Sequence, residues 1–118
     1  MPGSVDSHLP LSPAALHILL SLAGEDRHGY GIMQDVVAQT DGKYKLGPGT
    51  LYDNLQKLMD QGFVDEARGP RRGEDPRRRY YRLTGLGRTV LSADVARLER
   101  VVHEARLHLR AAKKGGAT

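Results

Sequence analysis

Arginines give the chain its strongest chemical signal. Seven of them lie between Arg68 and Arg82, against two acidic residues, Glu74 and Asp75. This segment therefore carries a charge of +5, and the rest of a chain whose net charge is +4 is close to neutral, at −1. Guanidinium groups bind phosphate oxygens two at a time because their N–H groups form a planar fork. A basic patch on a nearly neutral body predicts a polyanionic partner that binds in one orientation.

The other reactive side chains form no pattern typical of a catalytic or metal site. The sequence contains no cysteine, no GxSxG motif and no glycine-rich loop after a predicted strand. No HExxH motif and no i, i+4 pair occurs among the five histidines, which are His8, His17, His28, His103 and His108. His17 lies in an apolar run and is better explained as a core residue. We therefore expect no enzyme activity, no bound metal and no cofactor.

The stretch from Gly47 to Gly62 predicts a helix with two different faces. Pro48 can begin a helix, and Gly62 can end one in a left-handed conformation. One face is apolar and comprises Leu51, Leu55, Leu58 and Met59. The opposite face is polar and comprises Thr50, Asp53, Asn54 and Lys57. Two interpretations fit this pattern: a helix that reads DNA in a groove, and an ordinary amphipathic surface helix.

Side-chain chemistry suggests how such a helix would touch DNA. Thr50, Asp53 and Asn54 could reach base edges in the major groove. Phosphates repel Asp53, but its carboxylate could accept from a cytosine amino group or favour the helix start. The hydroxyl of Tyr52 could reach a phosphate, or its ring could pack in the core. The candidate contacts in and near this helix are Lys45, Gly49, Thr50, Tyr52, Asp53, Asn54 and Lys57.

The order of the predicted elements indicates a fold. A nearly all-apolar helix from Ser12-Pro13 to Gly24 and a second helix at residues 29–40 precede the two-faced helix. Strands at residues 63–67 and 77–83 then enclose a turn-rich segment, which predicts a β-hairpin with a basic tip. Three helices followed by a hairpin are the order of a winged helix-turn-helix, a mainly α fold with a small β-hairpin.

In this fold the third helix enters the major groove and the hairpin, or wing, lies along the phosphates. Phosphate contacts add affinity but carry little sequence information. The candidate phosphate contacts of the wing are Arg71, Arg72, Arg77 and Arg78. Alternation along the second strand should turn either Arg79 or Arg82 away, and should place one of Tyr80 and Tyr81 inward and the other outward.

The C-terminal segment predicts one long helix with an apolar stripe. The stripe residues recur at 4-3-4-3-4 spacing, which is a heptad pattern, and they are Leu91, Val95, Leu98, Val102, Ala105 and Leu109. The simplest cover for this stripe is the same helix of a second chain, in a two-fold dimer. Two reading helices would then face half-sites about one DNA turn apart. Alternatively, the helix folds back on the first helix of its own chain.

The predicted organisation has four parts. They are a flexible N-terminal arm at residues 1–10, a winged helix-turn-helix domain at 11–84, a dimerisation helix at 85–112 and a disordered tail at 113–118. The sequence shows neither a secretory signal nor an apolar run of about 20 residues, so we expect a cytoplasmic protein. An alternative function is a winged helix that binds only other proteins. The basic wing favours DNA, because a protein-contact domain has no need of it.

Four short segments occur in a fixed order along this pattern. They are HGYGI at residues 28–32, PGTLY at 48–52, LMDQGFV at 58–64 and RYYRLT at 79–84, and Gly87 follows them. Together they resemble the PadR family of bacterial transcriptional regulators, over roughly Leu16 to Leu91. The chain length and the single C-terminal helix resemble the smaller subgroup of that family.

The resemblance implies a homodimeric winged-helix protein, usually a repressor, that binds a palindromic operator near its own gene or a neighbouring one. Members respond to phenolic acids, to drugs or to unidentified signals, so a small-molecule effector is an expected partner. Drug-binding members that place a tryptophan between the subunits form a pocket that this chain cannot copy, since it has no Trp. The operator, the regulated genes, the effector, and the choice between repression and activation stay open.

Overall fold

The computed structural model describes residues 5–68 and 78–115, with the side chains of the last helix described up to residue 111. Its elements in chain order are a 3-10 turn (Val5–His8), helix α1 (Pro13–Gly24), strand β1 (Arg27–His28), helices α2 (Gly29–Gln39) and α3 (Pro48–Asp60), strands β2 (Val64–Ala67) and β3 (Tyr80–Leu83), and helix α4 (Gly85–Gly115). This order confirms the predicted class, a mainly helical winged helix-turn-helix with one long C-terminal helix.

Local signals place the start of α1 and both ends of α3 where the sequence predicts them. Ser12 caps α1 by accepting a hydrogen bond from the Ala15 N–H at 3.1 Å, and proline follows at the first helical position. Proline also begins α3. Gly62, just after α3, adopts a φ of +82°, which a residue with a side chain rarely adopts. The chain can therefore turn sharply from α3 into β2.

The small sheet has three strands, one more than the predicted hairpin. β3 lies in the middle and pairs antiparallel with β2 on one side and with β1 on the other. His28 of β1 stands opposite Tyr80, and Val64 of β2 stands opposite Leu83. The pairing with β1 brings the start of α2 next to the base of the wing.

Both tyrosines of β3 are buried, so the prediction that one would face outward is wrong. Tyr80 is 5% exposed and Tyr81 is 3% exposed. Tyr81 belongs to the main core, whereas Tyr80 packs edge-on against the His28 ring at 5.3 Å. Their side chains do alternate between the two faces of the sheet. The second face is nevertheless covered, because β1 brings His28 over it.

The core forms around α1, which is packed on most sides as its apolar sequence predicts. Helices α2, α3 and α4 and strand β3 all contact α1. The residues that are at most 2% exposed and fill this core are Ile18, Leu19, Leu22, Ile32, Val36, Leu51, Leu55, Leu58, Phe63, Val64 and Val90. The core therefore covers the apolar face of α3 and leaves its polar face open to solvent.

A compact junction joins α3, β2 and α4. The Thr84 hydroxyl donates to the Gly62 carbonyl at 2.6 Å and accepts from the Gly87 N–H at 2.9 Å. Thr84 N–H also donates to the Phe63 carbonyl at 3.1 Å. A Cβ on Gly87 would collide with this same carbonyl, so the close approach of α4 to Phe63 requires glycine.

The described parts of the predicted arm and tail, residues 5–10 and 113–115, differ from the prediction. The 3-10 turn at Val5–His8 contacts α4, and the His8 ring packs edge-on against Phe63 at 5.0 Å, whereas the sequence predicts a loose arm. Val5 and Leu9 pack against the core, and this packing fixes the position of the 3-10 turn. α4 continues to Gly115, past the predicted end at 112, and residues 1–4 and 116–118 lie outside the described residues. Across residues 5–68 and 78–115, every helix is too short or too polar to span a membrane.

Candidate nucleic-acid interface

α3 has the two faces that its sequence predicts. Leu51, Leu55 and Leu58 are at most 2% exposed and pack into the core. The polar side is open to solvent and presents Gly49, Thr50, Asp53 and Lys57. The predicted amphipathic helix is thereby confirmed, and the contacts of its polar side with DNA stay predictions.

Two amide side chains of α3 differ from the predicted polar face: one of its members is only partly exposed, and one exposed residue was not predicted to belong to it. Asn54 is half-buried, and its Nδ2 donates to the Thr50 carbonyl at 2.8 Å, which leaves its Oδ1 and one N–H for other partners. Gln56 is exposed and its Nε2 donates to Asp60 Oδ1 at 3.0 Å. Sequence reasoning missed Gln56, although it follows Asp53 by three residues and so lies on the same helix face. Both amides have the donor and acceptor that pair with adenine.

A cleft lies along each edge of the exposed face of α3. The wing cleft has a volume of about 480 Å³ and is lined by His28, Gly29, Tyr30, Tyr52, Arg78, Arg79 and Tyr81. The arm cleft has a volume of about 310 Å³ and is lined by Ser7, His8, Leu11, Ser12, Ala15, Asn54, Lys57, Leu58, Gln61 and Phe63. Tyr52 therefore lies on one edge of α3, and Asn54 and Lys57 lie on the other.

Tyr52 stands at the mouth of the wing cleft and outside the core. Its side chain is 49% exposed, and its hydroxyl lies directly over Gly29, where a Cβ would collide with it. A side chain at position 29 would displace this hydroxyl from its place over the start of α2. Tyr81, deeper in the same cleft, is buried, and burial raises the pKa of its phenol above the ordinary value of 10.0.

The base of the wing carries both arginines and carboxylates. Arg79 pairs with Glu66 at 3.5 Å and Arg82 pairs with Asp65 at 3.9 Å, and all four side chains are at least half exposed. The two acids precede the basic segment in sequence but stand beside it across the sheet, so they offset part of its charge. Arg78 is exposed and Lys45 is exposed just before α3.

Three of the four predicted wing contacts, Arg71, Arg72 and Arg77, lie outside the described residues and stay predictions.

His28 is a residue of the wing cleft that sequence reasoning missed. It caps α2, since its Nδ1 accepts a hydrogen bond from the Gly31 N–H at 3.0 Å. Its Nε2 lies 2.9 Å from Nη1 of Arg78. The signal in the sequence was a polar residue directly before a helix that begins Gly-Tyr-Gly.

The apolar stripe of α4 is only partly covered by its own chain. Val95, Val102 and Leu109 are 38%, 45% and 70% exposed, Leu98 is half-buried, and Ala105 is exposed. Leu91, in contrast, is 6% exposed and belongs to the chain's own core, so its assignment to the dimer interface is wrong. The first turns of α4 pack against α1 and β3, and the heptad spacing alone does not show where that packing ends.

Acidic and imidazole groups do not converge on a metal site in the described part of the chain. Across residues 5–68 and 78–115, no three histidine, aspartate or glutamate side chains lie close enough to hold a metal ion. One carboxylate, Asp94, is fully buried, and Arg97 Nε donates to its Oδ1 at 2.7 Å. This pair offsets the charge that burial would otherwise leave uncompensated.

Comparisons with known proteins agree with this geometry. Residues 18–93 match the Transcriptional regulator PadR-like family, close to the range over which the sequence motifs resemble it. A transcriptional regulator from Mycobacterium tuberculosis is 36% identical over 90 residues, which cover 75% of this chain and 78% of that protein. A solved transcriptional regulator from Clostridium thermocellum has a TM-score of 0.67 and 27% identity, covering 79% of this chain and 86% of that one.

A solved PadR-like transcription factor from Bacteroides fragilis has a TM-score of 0.66 and 25% identity, and the match covers 89% of this chain and 97% of that one. The family match spans the helices and strands from α1 into α4, and therefore includes α3 and every lining residue of the wing cleft. The family consists of transcriptional regulators, which agrees with the expectation that the chain is no enzyme. The chain therefore belongs to the PadR-like family of transcriptional regulators.

Proposed function

We propose that this protein is a sequence-specific DNA-binding regulator that acts in the cytoplasm as a homodimeric repressor on a palindromic operator. The observation that supports it best is the exposed polar face of α3, with Lys57 at one edge and Arg78 across the cleft at the other. A helix in the major groove meets base edges along its centre and phosphates on both sides. Polar groups in the middle and cations at the margins match that requirement.

The proposed contacts divide into two groups by their chemistry. The proposed base contacts are Thr50 and Asp53 on the exposed face and Asn54 at its arm-cleft edge, and Gly49 lets the DNA approach the start of α3 closely. The proposed phosphate contacts are Lys45, Tyr52, Lys57, Arg71, Arg72, Arg77 and Arg78. The first group would set the preferred sequence, and the second would set the affinity and its dependence on salt.

The exposed stripe of α4 supports the dimer. α4 has 31 residues and is therefore about 46 Å long at roughly 1.5 Å per residue. From Val95 to Leu109 its apolar positions have little cover from their own chain. A second copy of α4 would bury them about a two-fold axis, and this symmetry would demand a palindromic operator with half-sites about 34 Å apart.

Release of the repressor by a small-molecule effector is part of the proposal and rests on the family resemblance alone. A ligand that releases the protein must bind the DNA-free state more tightly than the DNA-bound state.

Fluorescence anisotropy tests the proposed function directly. A labelled duplex from the gene's own upstream region would be titrated at two salt concentrations, beside a scrambled duplex of equal length. We expect tight binding that weakens steeply with salt and prefers the upstream duplex. Equal weak binding to both duplexes would argue against an operator in this region. No binding to either at low salt would refute DNA binding and favour a winged helix that contacts only proteins.

A further inference from the structure

The hydrogen bonds of His28 determine where its ring proton lies. Because Nδ1 accepts from the Gly31 N–H, it carries no proton, and the proton of the neutral ring must be on Nε2. Nε2 lies 2.9 Å from Arg78 Nη1, which has only hydrogens to donate. Two donors thus face each other. The opposite tautomer would let Arg78 donate to Nε2, but its Nδ1–H would then face the Gly31 N–H.

Two donors that face each other at this distance are best satisfied by a third group that accepts from both. The other described residues that line the wing cleft add further donors. Tyr30 and Tyr52 are 59% and 49% exposed, so their hydroxyls can reach a bound group. Arg79 adds a second guanidinium, whose charge is partly offset by its pair with Glu66 at 3.5 Å. None of the described lining residues is acidic. The chemistry of the cleft therefore calls for an anion with several acceptor oxygens.

The position of the cleft indicates which anion this is. The wing cleft lies between the α3 edge that carries Tyr52 and the two residues directly before β3, Arg78 and Arg79. Helix α3 and the wing are the two elements proposed above to contact DNA. The first residues of α2 also line it, and the positive end of that helix favours negative charge. A phosphate beside a major groove occupied by α3 would lie at this edge of the helix.

We propose that the wing cleft binds one phosphodiester group of the DNA backbone, with His28 Nε2–H and the Arg78 guanidinium donating to its non-bridging oxygens. This inference rests on the proposed function and deepens it, since it assigns a DNA contact to His28 and adds the Tyr30 hydroxyl at the margin. His28 then uses Nδ1 to cap α2 and Nε2 to contact the phosphate. Phosphate binding therefore requires the Nε2–H tautomer, which the cap selects.

The test combines two substitutions with the salt dependence of binding to one duplex. His28→Asn keeps a good N-cap, because the asparagine oxygen can accept from the Gly31 N–H, but it removes the Nε2 donor. Arg78→Gln removes the charge and keeps a polar side chain. Arg100→Gln is the matched control, since it makes the same charge change on exposed α4, away from the cleft. Circular dichroism confirms that each variant is folded.

The expected results differ between the variants. Arg78→Gln should weaken binding roughly tenfold and make the negative slope of log affinity against log salt less steep by about 0.9, the value for one phosphate contact. His28→Asn should weaken binding about threefold to fivefold and leave the slope unchanged, because it removes a neutral donor. The loss of affinity in the double variant should be smaller than the product of the two single-variant losses, because both groups hold the same phosphate. Arg100→Gln should resemble the unsubstituted protein.

Several outcomes would overturn the proposal. If the unsubstituted protein binds with a steep salt dependence and both single variants match it, the wing cleft is not a phosphate site and the proposed function still stands. If the losses of the two variants simply multiply, the two residues do not share a phosphate. If the unsubstituted protein binds no duplex at low salt, the proposed function itself fails.

Nuclear magnetic resonance of the imidazole nitrogens gives a second, independent readout. In the free protein the His28 spectrum should show the Nε2–H tautomer, and addition of duplex should shift Nε2 more than Nδ1. A Nδ1–H tautomer would remove the pair of facing donors and with it the argument. A shift with inorganic phosphate but none with duplex would show that the cleft takes a free anion, and would refute the DNA contact.

Discussion

Replacement of Gly87 by alanine should loosen the connection between α3, β2 and α4. The new Cβ would collide with the Phe63 carbonyl oxygen and would lie 2.8 Å from Cδ1 of Leu83. The Leu83 side chain can rotate away, but the Phe63 backbone cannot. Its carbonyl accepts a hydrogen bond from the Thr84 N–H, and its N–H donates to the Leu58 carbonyl. The clash must therefore be relieved by a shift of the backbone.

Two opposing effects set the magnitude. Overpacking of a well-filled site costs about 1–3 kcal/mol and sometimes more, and a backbone oxygen belongs at the upper end of that range. Alanine instead of glycine inside a helix returns up to about 1 kcal/mol. We therefore expect Gly87→Ala to lower the free energy of unfolding by about 2 kcal/mol. For a chain of this size that corresponds to a fall in Tm of roughly 6–12 °C.

Thermal unfolding followed by circular dichroism at one fixed protein concentration measures this effect. The concentration must be fixed because a dimer has a concentration-dependent Tm. Gly49→Ala is the matched control, since it also lies in a helix and no atom lies within 4 Å of its added Cβ. It should raise the free energy of unfolding by about 0.5–1 kcal/mol. A Gly87→Ala protein as stable as the control would refute the packing argument.

Three further predictions concern the proposed interfaces. Arg71→Ala combined with Arg72→Ala should weaken binding to all duplexes alike and make the negative slope of log affinity against log salt less steep by about 0.9 for each lost contact; an unchanged slope would remove both residues from the interface. Asn54→Ala should reduce the preference for the operator over random DNA, as competition titrations would show, and an unchanged preference would exclude Asn54 from base reading. Leu98→Asp should yield monomers in analytical ultracentrifugation while Ala96→Asp, on the exposed side of the same helix, stays dimeric; a dimer of the Leu98 variant would place the interface elsewhere.

Features that depend on neighbouring residues could be predicted from the sequence. The ends of α3 follow from Pro48 and Gly62, whose backbone preferences act within one turn of the chain. The buried face of α3 follows from the spacing of its leucines. The same holds for the cap of α1 at Ser12, which needs only a contact three residues away.

Features that depend on distant residues could not be predicted in this way. β1 has only two residues, and it is a strand because it pairs with β3, more than fifty positions later. The burial of Tyr80 and the position of His28 in the wing cleft both follow from that pairing. Likewise, the heptad pattern marks Leu91 as apolar but does not show whether its own chain or a partner covers it.

The Thr84 hydroxyl has a consequence for how the two ends of a dimer would be coupled. One side chain bridges the carbonyl after α3 and the first turn of α4, so these two helices meet at a joint with little freedom to bend. In a dimer joined through α4, any change in the crossing angle of the two long helices would be transmitted to α3. The distance between the two α3 helices, and hence the operator spacing that the protein accepts, would then be adjusted at the far end of the molecule from the DNA.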